Sequence, residues 1–174
     1  MNTQALECMK TRRSCRRYLD KQITKEALSA ILEAGTYAPT GMGKQSPVIV
    51  AVQDAETIRQ LSRLNAAVMN GTGDPFYGAP TVLVVFADSE RPTWLEDGAL
   101  VMGNLLNAAH AAGVASCYIY RAREVFRTEE GRALMKKWGL SENYIGVGNC
   151  ILGYASEGGE KEAAPRKSDY IIMA

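Results

Sequence analysis

The sequence predicts an α/β-type chain in which helical patterns alternate irregularly with four buried strands and a tail strand. Three observations predict it. Four short apolar runs, at 48–52, 81–87, 114–120 and 144–154, read as strands. Between them, apolar residues recur three and four apart, as on one face of a helix. Near the start, Thr11-Arg12-Arg13-Ser14-Cys15-Arg16-Arg17-Tyr18 packs four cations into six positions around a Ser hydroxyl, which marks a candidate anion site.

The elements follow in order. Residues 3–13 read as a helix, with Thr3 as N-cap and Ala5, Leu6 and Met9 as its apolar stripe. After the basic segment, Thr24 caps a helix whose buried face is Ala27, Leu28, Ile31 and Leu32, ending near Gly35 or Tyr37. Ala38 to Pro47 holds two prolines and two glycines, so it is a loop whose backbone N–H groups are able to turn toward a ligand. Val48-Ile49-Val50-Ala51-Val52 is apolar throughout, as expected of a strand buried on both faces. Asp54 caps a helix to about Asn70, with Ile58, Leu61, Leu64 and Val68 inward. Asn70 to Pro75 reads as a mobile surface loop.

Thr81 to Ala87 is the second strand. From Thr93 to Ala112 runs a helix that is apolar almost all round, as expected of a central or interface helix, with Gly113 as its stop. Val114 to Tyr120 is the third strand, Phe126 to Trp138 a helix closed by Gly139, and Tyr144 to Tyr154 the fourth strand. The glycines of that strand imply close approach of another backbone or a ligand. A polar, Gly-rich tail follows and ends in Tyr170-Ile171-Ile172-Met173, an apolar end that must dock on a sheet edge of its own subunit or a partner.

Composition excludes several classes. The chain has 174 residues, the size of one domain, with 47% apolar and 22% charged residues. Net charge is +1, which offers no general field for nucleic acid or an anionic membrane. The basic segment also lacks the interleaved aromatic residues of a nucleic-acid site. No apolar run reaches membrane-spanning length. Cys8, Cys15, Cys117 and Cys150 form no CxxC pair. With no signal-peptide pattern at Met1-Asn2-Thr3-Gln4, scattered thiols point to the cytoplasm. The GTG at 71–73 is no dinucleotide fingerprint, and His110, the one histidine, has no nucleophile placed beside it.

The basic segment has two readings. Arg residues close a helix and complement the negative end of its dipole. Alternatively, guanidinium forks and the Ser hydroxyl grip a phosphate.

Four segments resemble the nitroreductase family of FMN-dependent oxidoreductases, along the whole chain. They are Arg12-Arg13-Ser14-Cys15-Arg16 with Tyr18; Ile31 to Thr40 with Gln45 and Pro47; Asp97-Gly98-Ala99 with Asn104 to Ala109 and Gly113; and Gly146-Val147-Gly148 to Gly153-Tyr154 with Arg166 beyond. The resemblance implies an α+β fold, a sheet flanked by helices in an intertwined homodimer with a C-terminal extension, and one FMN-binding domain over 1–174. It implies that Arg12, Arg13, Ser14 and Arg16 meet FMN from one subunit, joined by Arg166 at the phosphate. Pro39, Thr40, Gly41, Met42 and Gln45 would meet it from the other. Asn65 is a candidate contact to the flavin ring, and Tyr118 to Arg121, including Tyr120, would offer backbone donors near N5.

The implied activity is ping-pong: hydride from NADH or NADPH through FMN to a small-molecule acceptor such as a nitroaromatic or quinone. The alternative is an FMN-binding protein, or a flavin reductase with a specialised substrate. No protein acid, base or nucleophile is required, because the flavin carries the chemistry. Two features depart from the family pattern. Gly43-Lys44 stands where many members carry Asn, and the excursion from Asn65 to Pro80 is compact.

Overall fold

The computed structural model describes residues 3–174. Met1 and Asn2, read above as part of a stretch without a leader pattern, lie outside them. Four strands are described: β1 (Val48–Val52), β2 (Thr81–Asp88), β3 (Ala115–Ile119) and β4 (Tyr144–Gly153). They form one sheet in the order β1-β2-β4-β3, with every neighbouring pair antiparallel. Among the described residues the helices are α1 (Thr3–Thr11), α2 (Lys25–Thr36), α3 (Ala55–Val68), α4 (Trp94–Ala111), α5 (Ala122–Val125) and α6 (Glu129–Lys137).

The class is therefore α+β. Helix–strand alternation points toward a parallel sheet, but the loop after α3 changes the outcome. Gln53, just past β1, donates to the Thr81 hydroxyl at the start of β2 (3.0 Å), so both lie at one end of the sheet. Asn65, late in α3, bonds the Tyr120 carbonyl beyond the end of β3, at the opposite end (2.9 Å). Residues 69–80 carry the chain back, and β2 enters antiparallel.

Both faces of the sheet are covered. Val82, Val84 and Phe86 of β2 join Leu61, Leu64, Phe126, Leu134 and Ile151 on the α3–α5–α6 face. Leu83, Val85 and Ala87 join Ile31, Met102, Leu105 and Cys150 on the α2–α4 face. This two-sided burial is why β2 reads as a continuous apolar run. Phe86 packs edge-on to Phe126, ring centroids 4.7 Å apart.

Several expectations change. β1 is an edge strand: only Val52 is buried and Ala51 is exposed, so an apolar run here does not mean burial on both faces. Thr3 is the first helical residue of α1 rather than its cap, the helix stops at Thr11, and Leu6 and Met9 are exposed. α4 keeps to its expectation as a central or interface helix, with Val101, Met102, Leu105 and Ala109 buried and Leu95 and Leu100 exposed. The helix expected over 126–138 is α6, which begins only at Glu129 because Thr128 caps it by accepting from the Gly131 N–H (3.0 Å), and a separate short α5 precedes it. The tail forms no strand among the described residues, and Tyr170 to Met173 are exposed. The β4 glycines are explained within the protein. A Cβ at Gly146 would meet the Ala122 backbone at 2.8 Å, and at Gly148 and Gly153 the rings of Tyr118 and Tyr18. No helix among the described residues is long and apolar enough to cross a membrane.

Phe86→Ala removes the ring at the centre of the larger core layer. It is expected to cost about 3–5 kcal/mol, read as a lowered midpoint in urea unfolding.

Candidate cofactor site

The basic segment follows α1 and lies along the outer edge of β3. Arg13 turns back, its guanidinium donating to the Arg12 and Lys10 carbonyls, so it closes α1. The helix-closing reading is thus realised at Arg13. Beyond it the chain is extended. Ser14 bridges Ser116 in parallel, and the Cys15 N–H donates to the Ser116 carbonyl (2.9 Å). On the other side the Arg16 N–H donates to Gly159, and Ser156 donates to the Arg17 carbonyl (2.8 and 3.0 Å). The start of the tail therefore flanks the segment. Gly159 permits this approach: a Cβ there would lie 2.6 Å from the Arg17 carbonyl oxygen and 2.9 Å from the Cys15 sulfur.

Cys15 and Tyr18 point inward, Arg16 and Arg17 are exposed, and Arg12 and Arg13 are half-buried. Cys15 is fully buried, and burial pushes its thiol above the usual range, which suits an anchor and not a nucleophile. The Tyr18 hydroxyl donates to the Cys15 carbonyl (3.0 Å), and burial pushes that phenol up as well. Arg12, Arg16 and Arg17 have no carboxylate partner among the described ion pairs. Beside them the buried Ser116 hydroxyl has no hydrogen-bond partner.

Arg16 lines a cavity of about 380 Å³ with Tyr77, Tyr118, Tyr120 and Arg121. Asn65 is 1% exposed and shapes its floor. It donates to the Tyr120 carbonyl (2.9 Å) and accepts from Arg121 Nε (3.1 Å). Loop 71–78, expected to be mobile, is pinned in its second half. Phe76 is buried in the core, and the Asp74 carboxylate accepts from the Ser62 hydroxyl and from the N–H groups of Phe76 (2.8 Å) and Gly78 (2.7 Å).

The 39–45 loop stands at a second cavity, of about 390 Å³, lined by Thr40, Gln45 and the end of α2. Its shape depends on Asp97, buried in the first turn of α4. That carboxylate accepts from the Gly41 N–H (2.9 Å) and the Thr93 hydroxyl (3.2 Å), with the Ser46 hydroxyl at 3.5 Å. A helix N-terminus suits a carboxylate. Met42 and Gln45 hold left-handed backbone at φ +52° and +49°, and Gly43 at +63°. Gly and Asn both accept that conformation, which accounts physically for Gly43 in a loop that often carries Asn. Met42 is 82% exposed.

The expected site residues thus gather in two places. Arg12, Ser14, Arg16, Asn65 and Tyr120 lie around β3, while Pro39, Thr40, Gly41, Met42 and Gln45 lie in the loop between α2 and β1. No described hydrogen bond joins the two groups. Arg166 is exposed in the tail and bonds the Ala164 carbonyl. Sequence reasoning did not single out Arg121 as a side chain, nor Asp74 or Asp97 as clamps. An acidic residue in a loop or first helical turn is ordinary, and a left-handed Arg leaves no mark in sequence.

This geometry can be set beside known proteins. Residues 9–75 match the model of the Nitroreductase family. An Archaeoglobus fulgidus protein, whose name reads NADH dehydrogenase/NAD(P)H nitroreductase, is 31% identical over 160 residues, covering 87% of each chain. The chain belongs to the nitroreductase family. A Bacteroides fragilis nitroreductase, crystallised with bound FMN, matches with a TM-score of 0.91 and 32% identity over 98% of each chain. A Desulfitobacterium hafniense nitroreductase, also with bound FMN, gives 0.89 and 25% over the full length of both. The four resembling segments therefore lie in a fold that superposes along nearly its whole length: beside β3, at the end of α2 with the loop after it, along α4, and along β4 with the tail beyond.

Asp97→Ala would leave the Gly41 N–H without its acceptor. It is expected to lower stability by about 1–3 kcal/mol and to speed hydrogen exchange at Gly41, measured by amide exchange.

Proposed function

We propose that this nitroreductase is an FMN-dependent enzyme that passes hydride from NADH or NADPH to a small-molecule acceptor of the nitroaromatic or quinone kind, in ping-pong order. The observation that carries the reading is Arg16, a cation of the Arg-rich segment that flanks β3, with no described carboxylate partner, lining a cavity with Tyr77, Tyr120 and Arg121. A dianionic phosphate matches those donors, and a flat ring matches Tyr118 and Tyr120. FMN has both parts, and when bound it supplies the redox chemistry. The relatives crystallised with FMN support the choice.

The chain's own residues bind and orient. Arg12 and Arg16 hold the phosphate with the Ser14 hydroxyl. Asn65 keeps the Tyr120–Arg121 turn in place, so that its backbone N–H groups face the ring. Arg13 remains at the end of α1 and contributes positive potential rather than a direct contact.

The working unit is a homodimer, and the whole chain acts as one FMN-binding domain. Three features support this reading. The loop between α2 and β1 borders a different cavity from Arg16, and its Met42 is exposed on left-handed backbone. The outer edge of β1 is unpaired among the described residues, whereas β3 is flanked by Ser14 and Cys15. Tyr170 to Met173 form an uncovered apolar end. A partner's loop completes the ring site, and the partner's tail covers the open edge and brings its Arg166 to the phosphate.

The purified protein is expected to be yellow and to release FMN, near one per chain. A colourless protein that refuses added FMN would overturn the proposal. Each of Arg12→Ala and Arg166→Ala removes charge-assisted bonds of about 1.5–3 kcal/mol and is expected to weaken FMN retention roughly 10- to 100-fold, read by equilibrium dialysis. Unchanged retention in both would refute the phosphate assignment.

A further inference from the structure

The cofactor cavity at β3 holds a second cation on unusual backbone. Arg121 stands just past the strand at φ +80°, in the left-handed region, where an L-residue is strained and glycine is not. The chain carries Arg here all the same, and its side chain is fixed from α3. Asn65, buried there, donates to the Tyr120 carbonyl (2.9 Å) and accepts from Arg121 Nε (3.1 Å). One carboxamide therefore holds both the turn and the guanidinium. No described hydrogen bond or ion pair uses either Nη of Arg121. Strain that the surrounding structure maintains at a cavity wall is expected where the side chain serves the site.

The cavity is also positive. Arg16 and Arg121 both line it, and Asp74 is the one carboxylate among its lining residues. Asp74 pairs with neither, because its oxygens accept from Ser62, Phe76 and Gly78. The two cations come from different ends of β3. Arg16 belongs to the segment that bridges Ser116 near the start of the strand, whereas Arg121 lies past its end. With Arg16 at the phosphate, as read above, the Tyr120–Arg121 turn faces the ring, and the open fork of Arg121 is the cation on the ring side. A hydride carries one negative charge into the ring that accepts it. A half-buried guanidinium stabilises such a charge more than one in free solvent does, because water and salt screen it less.

We propose that Arg121 sets the reduction potential of this flavoprotein: its guanidinium, held in place by Asn65, stabilises the negative charge that hydride uptake leaves on the ring. This rests on the FMN reading above and names the residue that tunes the cofactor within it. A raised potential eases hydride uptake from NADH or NADPH and restricts the acceptors to those of higher potential still.

The test measures the midpoint potential of bound FMN by dye equilibration of the holoenzyme, with the dissociation constants of oxidised and reduced FMN. Arg121→Gly removes the charge while suiting the left-handed backbone. It is expected to weaken binding of reduced FMN at least tenfold more than binding of oxidised FMN. For a two-electron couple that lowers the potential by about 30 mV or more. Arg121→Lys keeps the charge and should stay closer to the wild-type potential. The Arg121→Gly apoprotein should unfold at the wild-type temperature or above it. An unmoved potential in Arg121→Gly would overturn the proposal, and a lowered unfolding temperature beside it would make Arg121 a structural residue. Equal weakening of both redox forms would also overturn it, by assigning Arg121 to the phosphate, whose charge does not follow the ring. A wild-type protein that takes up no FMN would strike the cofactor reading itself, whereas a holoenzyme whose potential ignores Arg121 would strike this proposal alone.

Discussion

The seating of Arg12 to Tyr18 between the edge of β3 and the turn at Gly159 is the constraint on which the rest of the site depends. Four like charges in six residues repel one another, and no described carboxylate neutralises Arg12, Arg16 or Arg17. The segment stays in place because its backbone is bonded on both sides and Cys15 and Tyr18 are packed inward. Arg16 and Arg17 are then presented outward from a fixed strand. A flexible arm with the same composition would lose side-chain and backbone entropy on every encounter with an anion. Here much of that loss is met in folding.

A second regularity links the two cavities. Apart from Asn70, the non-glycine residues with left-handed backbone are Met42, Gln45, Tyr77 and Arg121, and all lie at or beside the two cavities. Each has a polar side chain nearby that holds the turn. Asp97 and Thr40 hold the loop around Met42 and Gln45, Asp74 holds the turn at Tyr77, and Asn65 holds Arg121. The clamps come from α3, α4 and the loops they adjoin, so the cavities inherit the rigidity of the core helices. Backbone strain kept by surrounding structure is a mark of functional positions.

The core explains why these positions are reproducible. β2 and β4 are buried on both faces and carry the antiparallel ladder to which β1 and β3 are added. Gly146 lets the backbone of α5 approach β4, and α5 in turn fixes the end of β3. Uncovered apolar surface is concentrated away from this core, at α1, at Leu95 and Leu100 of α4, and in the tail.

The amino-acid sequence by itself determined the four strands, the main helices, the cationic character of Arg12 to Arg17 and the family to which the chain belongs. These depend on local spacing and on motifs that recur in order, which are legible without coordinates. Only the tertiary structure decided the rest. It made the sheet antiparallel, because residues 69–80 return the chain across the sheet. It made β1 an edge and started the helix expected over 126–138 at Glu129, after a Thr128 cap. It turned Arg13 away to close α1 and placed Asn65 under Arg121, 56 residues away in sequence. It left the 39–45 loop and Arg166 apart from the cations expected to share their ligand. Such outcomes depend on which distant groups meet, and hydrogen bonds between residues far apart leave no periodic trace along the chain.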